Sequence, residues 1–442
     1  MERPCRATPP TDRTRQGDRK TEPLVSVLIS NYNGARFLGA ALESVLAQSH
    51  RVLDVIVVDD ASTDGSRALL QEMAATDPRL TPIATSRNAG PAAARNVAID
   101  AARGDWLAIV DADDLIHPER IARLLSAARA TGADLIADDL VQFGDPATAG
   151  QTLLTSHKVR GAPRIGADDL LRSDVAGMGP ASLGYLKPLI RRDALAALRY
   201  DESLRIGEDF DLYLRLLLRG TKFHVVPDPT YLYRRHPGSI SHRLSVAALE
   251  TLLQAHDRAA RTACPQAEAV RAALSSRRDR LSRALRYERL VAAIKARQRG
   301  RAFATLLRDP SLAAELYASL RDRRERTGRS RMSDTDSNSP IVLAAPDRLP
   351  GIKAPDGAKR IAANRLPPPA APETTAPNRL ACRLAQLGTR GSVDVIADGK
   401  DGLQALGFLP QWRSAHLTLG AEAAEGVVLP KGVTLTVAPQ PG

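Results

Sequence analysis

From residue 24 onward the chain alternates short apolar runs rich in β-branched residues with stretches whose apolar residues recur three and four apart. Residues 24–30 (LVSVLIS), 53–58 (LDVIVV), 80–84 (LTPIA), 106–110 (WLAIV) and 134–137 (DLIA) read as strands. Residues 36–48, 64–75, 91–103 and 118–130 carry the helical spacing. Strands that are apolar throughout are covered on both faces, and strands separated by helices pair in parallel. The expectation is an α/β domain: a mostly parallel sheet flanked by helices. Ligands of such sheets bind beyond the carboxyl ends of the strands, so the polar residues following each strand are the ones to inspect.

A chain of 442 residues exceeds the usual size of one domain. Residues 166–240 mix a strand candidate (YLKPLI), a helix after Glu208 and two short extended runs (FHVV and TYLYRR), and they are expected to complete the same domain over 24–243. Residues 244–324 read as a helical, Arg/Ala-rich extension. Residues 325–380 are polar and Pro-rich, a composition that buries too little apolar surface to order itself, and are expected to be a disordered linker. Residues 381–442 regain short β-like runs and suggest a small β-rich module without an assigned role. The first 23 residues are polar and Pro-rich and read as a disordered tail.

The formal charge of +12 favours anionic partners such as lipid headgroups or phosphorylated substrates, and says nothing of fold. Aromatic residues are only 4% of the chain, and the Arg-rich helical stretch lacks the aromatic interleaving that stacks bases, so no nucleic acid is expected. Cys5, Cys264 and Cys382 show no metal or redox spacing, which fits a reducing cytosol. With neither an apolar leader nor a spanning segment, the expected location is cytoplasmic, with peripheral contact to the inner face of the plasma membrane.

Four strand ends carry acids or amides: Asn31-Tyr32-Asn33-Gly34, Asp59-Asp60-Ala61-Ser62-Thr63-Asp64, Arg87-Asn88-Ala89-Gly90 and Asp111-Ala112-Asp113-Asp114. Any one of them is ordinary turn or capping chemistry, and Asp64 or Asp114 alone would be read so. Four on one sheet edge point to a polar site. No Gly-rich phosphate loop is present, and carboxylates repel a diphosphate unless a hard cation stands between them. Asp111 and Asp113, two apart on a strand exit, therefore suggest a clamp for Mg²⁺ or Mn²⁺ and a diphosphate. Glu208 and Asp209 open an amphipathic helix, where acids commonly complement the helix dipole; beside a diphosphate site one of them fits a general base. Arg234 and His236, in a loop with Arg235 and Ser239, suit phosphate oxygens.

These motifs resemble glycosyltransferase family 2. The matching pieces are VSVLISNYNG (25–34), VVDDASTDGS (57–66), RNAGPAAARN (87–96), DADD (111–114) and GEDFDL (207–212), in order across residues 24–240. Ser30-Asn31 departs from the Pro-x-Tyr-Asn of many members, with Tyr32-Asn33 retained. Within the family, GYLKPLIRR (184–192) followed by RIGED (205–209) is similar to the succinoglycan glucosyltransferases. The resemblance implies a GT-A, Rossmann-like fold and inverting transfer of one sugar from a UDP-sugar such as UDP-glucose to a lipid-linked oligosaccharide. It implies Asn31, Tyr32, Asp59, Asp60, Asn88 and Arg95 on the nucleotide side, Asp111 on ribose and metal, Asp113 on the metal, and Asp209 as base oriented by Glu208.

A sugar nucleotidyltransferase would carry a Gly-rich basic loop after the first strand, and a processive synthase a Q-x-x-R-W motif with membrane spans; neither is found. The reading from another class is a catalytically weak nucleotide-sugar-binding protein that recruits partners to the membrane through its basic helical tail.

Overall fold

The computed structural model describes residues 22–145, 147–156, 163–174, 182–236, 244–262, 267–317, 341–344, 358–363, 381, 384–385, 393–398, 404–409, 412–420 and 433–438. The tail expected over 1–23 lies almost wholly outside them, as do most positions of the Pro-rich linker.

The apolar runs become strands β1 (Val25–Asn31), β2 (Leu53–Asp59), β3 (Leu80–Ala84), β4 (Trp106–Ile109), β5 (Leu115–Ile116), β6 (Leu135–Phe143), β7 (Arg164–Ile165), β8 (Leu189–Arg191) and β9 (Phe223–Arg234). Their order in the sheet is β3-β2-β1-β4-β8-β6-β9-β5, with β7 beside β9. Between them run α1 (Ala35–Leu46), α2 (Ser66–Thr76), α3 (Pro91–Ala101), α4 (Arg120–Thr131), α5 (Leu153–Ser156), α6 (Ala167–Ser173), α7 (Arg192–Leu195) and α8 (Glu208–Leu218). All seven residues of β2 are buried, as expected of an inner parallel strand covered on both faces. Each fully buried Val, Leu or Ile of this core contributes about 1.5–3 kcal/mol relative to exposure.

One strand runs against the others where it matters. β8 pairs antiparallel with both β4 and β6. Its beginning, and not its end, therefore reaches the edge where β1, β2 and β4 finish. The two short runs expected after α8 are one strand, β9, which passes through Pro227 and Pro229 where its pairing with β6 shifts register. Pro donates no ladder hydrogen bond, so the bulge keeps the strand continuous.

The helical extension is α9 (Val246–Thr262), α10 (Glu268–Lys295) and α11 (Arg299–Arg308), with α9 packed on α8 and α10 on α6, α9 and α11. No described helix is long and apolar enough to cross a membrane.

A second sheet holds β10 (Ile341–Ala344), β11 (Lys359–Ala362), β12 (Val393–Asp398), β13 (Trp412–Gly420) and β14 (Val433–Ala438), all parallel, in the order β11-β10-β12-β13-β14. Strands β10 and β11 fall inside the stretch expected to be a disordered linker. Four-residue strands flanked by Pro and polar residues vanish in a compositional average. The module touches the first domain at His117, whose Nε2 lies 2.8 Å from the Gln404 carbonyl oxygen and whose ring stacks on Phe408. Ala385 packs with Val141, Phe143 and Leu232.

Candidate active site

Asn31 and Asp59 are register partners at the ends of β1 and β2. Asn31 donates to Asp59 Oδ1 (2.8 Å) and to Ser62 Oγ (3.2 Å), and Asp59 also accepts from Arg67 Nε (2.9 Å). Burial pushes the Asp59 carboxyl up, but hydrogen bonds from Ser62, Arg67 and Asn31 outweigh it and hold the group below its ordinary value. Asn33 has left-handed backbone (φ 51°), and the turn leaves Tyr32 half exposed. Asp64 accepts from the N–H of Ala35 and of Ser66, so it closes the starts of both α1 and α2 and is not part of the site.

Asp60 faces a different task from the one expected of it. Its oxygens take the N–H groups of Ala89 and Gly90 (2.7 Å for Gly90) and the Thr85 hydroxyl (3.1 Å). It is buried and fixes the loop before α3, which carries Asn88. Asn88 accepts from Arg205 Nη1 at 2.9 Å, joining that loop to the one before α8.

The centre of the site is an ion cluster. Arg95, on α3, gives Nη2 to Asp111 Oδ1 (2.7 Å) and Nη1 to Glu208 Oε1 (2.5 Å), with Asp209 Oδ1 at 3.4 Å. Lys187 Nζ lies 2.8 Å from Asp111 Oδ2 and 2.7 Å from Asp209 Oδ2. Three carboxylates thus share two buried cations. Burial raises the Asp111 carboxyl, but the charges of Lys187 and Arg95 bring it down to about 2. Burial wins at Glu208, raising it against the opposing Arg95 charge. Lys187 is disfavoured by burial, yet Asp111 and Asp209 drive its pKa well up, so it stays charged.

Lys187 is the functional residue that reading the strand ends missed. It precedes β8, and the reversed direction of that strand brings it to the edge beside β4. Tyr213 donates to the Leu186 carbonyl (3.1 Å), and the fully buried Arg120 donates to that of Lys187. A lysine inside an otherwise apolar run (GYLKPLI) was the available signal, since lysine is seldom buried unless paired.

Glu208 and Asp209 open α8 behind Gly207, whose left-handed φ of 80° suits glycine; a β-carbon there would stand 2.7 Å from Leu252. Negative side chains at this N-terminus gain from the helix dipole as well.

The remaining acids of the run separate by role. Asp114 is buried, accepting from the Tyr231 hydroxyl (2.7 Å) and the Arg234 N–H (2.6 Å). It fastens β9 and does not cap a helix. Burial, with Asp113 and Asp111 nearby, raises its pKa well above the usual carboxylate range. Asp113 stays partly exposed, with Oδ2 3.0 Å from His236 Nε2. Burial and Asp111 raise its pKa while His236 opposes them. Arg234 Nε donates to the Asp113 carbonyl (2.6 Å), and its guanidinium lies over Phe37 and Phe143. The positions after His236 in that loop, including Ser239, lie outside the described residues.

Among the described residues no three His, Cys, Asp or Glu side chains gather as a metal cage. Asp111, expected to share a metal with Asp113, has both oxygens held by Arg95 and Lys187. Asp113 and His236 offer one carboxylate and one imidazole, a set that leaves most of a cation's positions to phosphate and water, as Mg²⁺ and Mn²⁺ sites on nucleotides commonly do.

A sequence profile, Glycosyl transferase family 2, matches residues 26–180. The succinoglycan biosynthesis protein ExoO of Rhizobium meliloti (strain 1021) is 33% identical over 334 residues, 74% of this chain and 94% of that protein. The chain belongs to glycosyltransferase family 2. The succinoglycan biosynthesis protein ExoU of the same organism is 35% identical over 226 residues, covering 50% of this chain and 65% of that protein. Among solved structures, S. aureus TarS 1-349 in complex with UDP-GlcNAc superposes with a TM-score of 0.52 at 19% identity, over 64% of this chain and 79% of that one. That likeness bears on fold, and the GT-A fold expected from the motifs is the one observed. As a member of this family the chain is a glycosyltransferase, with its ion cluster at the carboxyl edge of the sheet.

Proposed function

We propose that this glycosyltransferase moves one sugar, with inversion and without processivity, from a UDP-sugar such as UDP-glucose to a lipid-linked oligosaccharide in the assembly of an exopolysaccharide or other surface polysaccharide. The succinoglycan biosynthesis proteins among its relatives support the pathway class. The observation that carries the chemistry is the position of Asp209: one cation, Lys187, bridges its carboxylate to that of Asp111, the first acid of the run.

The nucleotide lies over the ends of β1 and β2, where Asn31, Tyr32 and Asp59 meet, with Asn88 and Arg205 on the adjoining loop. The residues that fit a divalent metal are Asp113 and His236; when bound, the metal offsets charge on the departing diphosphate as a Lewis acid. Arg95 and Lys187 hold the Asp111 and Asp209 carboxylates in fixed positions. Asp209 removes the proton from an acceptor hydroxyl as its oxygen bonds to the anomeric carbon. The bond from that carbon to the diphosphate oxygen breaks, UDP leaves, and the proton stays on Asp209. Glu208 orients the pair through Arg95. Arg234 holds the Asp113 backbone through its carbonyl.

The test is thermal unfolding in a panel of UDP-, GDP- and dTDP-sugars with Mn²⁺ or EDTA, with UDP release followed in parallel. Stabilisation by UDP-sugars that needs Mn²⁺ and is lost in Asp113→Ala is expected. Equal stabilisation of the wild type and Asp113→Ala by the same nucleotide rules out the metal assignment, and absence of both binding and UDP release rules out the transferase reading.

A further inference from the structure

The far end of the helical extension combines exposed apolar side chains with unneutralised positive charge. Of the large apolar residues exposed among the described residues, the three most exposed are Tyr317, Leu307 and Phe303, at 71%, 67% and 65%, and Ile294 joins them. Exposed apolar residues scattered singly are ordinary; four within one short stretch are not.

The charge pattern changes at the same place. Along α10 five arginines find acids: Arg277 with Asp174, Arg278 with Asp257, Arg283 with Glu315, Arg286 with Asp309 and Arg289 with Glu250. Between Glu288 and Asp309 the sequence has no carboxylate, while Lys295, Arg297, Arg299, Arg301 and Arg308 follow Arg289. Arg297, Arg299 and Arg308 are exposed and make no ion pair with a described carboxylate.

The geometry of α11 sets its two exposed apolar residues on one side. Ala302 and Leu306 pack inward with Leu290, Ala293 and Leu312. Phe303 and Leu307, four apart, share an outward stripe that begins one turn earlier at Arg299. Among the described residues, Phe303 and Leu307 of that stripe remain exposed.

We propose that α11 and the end of α10 form a docking surface for an anionic lipid bilayer, Phe303 and Leu307 entering the headgroup boundary while the arginines meet lipid phosphates. Uniform positive charge matches a surface of like negative groups, and a bilayer needs no shaped groove to receive two side chains. The surface takes its purpose from the proposed lipid-linked acceptor, but its test is independent of that reading.

The full chain is sedimented with phosphatidylcholine vesicles, with and without phosphatidylglycerol. Binding to the anionic vesicles alone is expected, weakened by added salt and reduced about tenfold or more both in Phe303→Ser/Leu307→Ser and in Arg297→Gln/Arg299→Gln/Arg308→Gln. Phe303→Trp adds an emission whose difference from wild type moves to shorter wavelength on those vesicles. Failure of the wild type to bind, equal binding by the Ser variant, or an unmoved Trp emission overturns the proposal. So does self-association in sedimentation velocity that the Ser variant abolishes without any vesicle binding, since the face would then join copies of the chain. Loss of UDP release in every preparation with vesicle binding intact would refute the functional reading and leave this surface standing.

Discussion

Lys187 is the residue on which the geometry makes its most exposed claim. Its ammonium sits 2.7 and 2.8 Å from two carboxylates, and Lys187 and Asp209 are both buried while Asp111 is partly so. Lys187→Met keeps the stem and removes the charge, leaving Asp111 and Asp209 with Arg95 alone. Removing one partner from a buried ion pair costs about 3–5 kcal/mol of stability. Part of that is tied to Asp111, whose carboxyl Lys187 helps bring to about 2 from an ordinary 3.8, a difference of about 2–3 kcal/mol. A depressed acid contributes stability above its unfolded pKa and loses it as pH falls through the folded one. The gap between wild type and Lys187→Met is therefore full at neutral pH and narrows below about pH 4. Urea midpoints taken across that range measure it, and transfer assays at neutral pH should show kcat down about a hundredfold, with a smaller change in KM for the donor. A folded variant with wild-type kcat, or a stability gap that ignores pH, would refute the role assigned to Lys187.

Two further perturbations probe the frame around the site. Asp139 is buried in β6, and burial pushes its carboxyl up to about 7 despite hydrogen bonds from Leu140 and Leu154. A raised acid favours the folded state at low pH and loses that advantage as pH rises from about 4 to about 7, up to about 4 kcal/mol in all. Asp139→Asn should flatten the fall in urea midpoint between about pH 4 and about pH 7; parallel curves for both proteins would count against it. At Gly34 a β-carbon would collide with Asn31 Oδ1, so Gly34→Ala should cost about 1–3 kcal/mol and weaken UDP binding by displacing Asn31 from Asp59. Unchanged calorimetric affinity for UDP would separate that turn from the nucleotide.

Strands β1, β2 and β4 were legible because inner parallel strands must be apolar throughout, and β2 is buried at every position. The polar strand ends were legible for the complementary reason, that Asn31, Asp59 and Asp111 interrupt such runs where the sheet stops. Lys187 was hidden because its place depends on β8 running backwards, which no local pattern encodes. Asp60, implied by the resemblance to lie on the nucleotide side, and Asp114, open to a capping reading, both close on backbone N–H groups of distant segments. Hydrogen bonds between residues thirty or more apart leave no periodic trace. Strands β10 and β11 were lost in a Pro-rich average for want of length.

The pairing of β6 with β9 also governs when the site can exist. Leu135 meets Phe223 and Phe143 meets Arg234 across about ninety residues, so this part of the sheet carries a loop-closure cost that local helices do not and forms slowly relative to them. Asp114 is held only once Tyr231 and Arg234 arrive, and Asp113 meets His236 later still along the chain. A growing polypeptide can assemble β1 through β4 early, but that intermediate lacks Lys187, Asp209 and the β9 wall. Assembly of the catalytic centre is thus tied to closure of the sheet by β9.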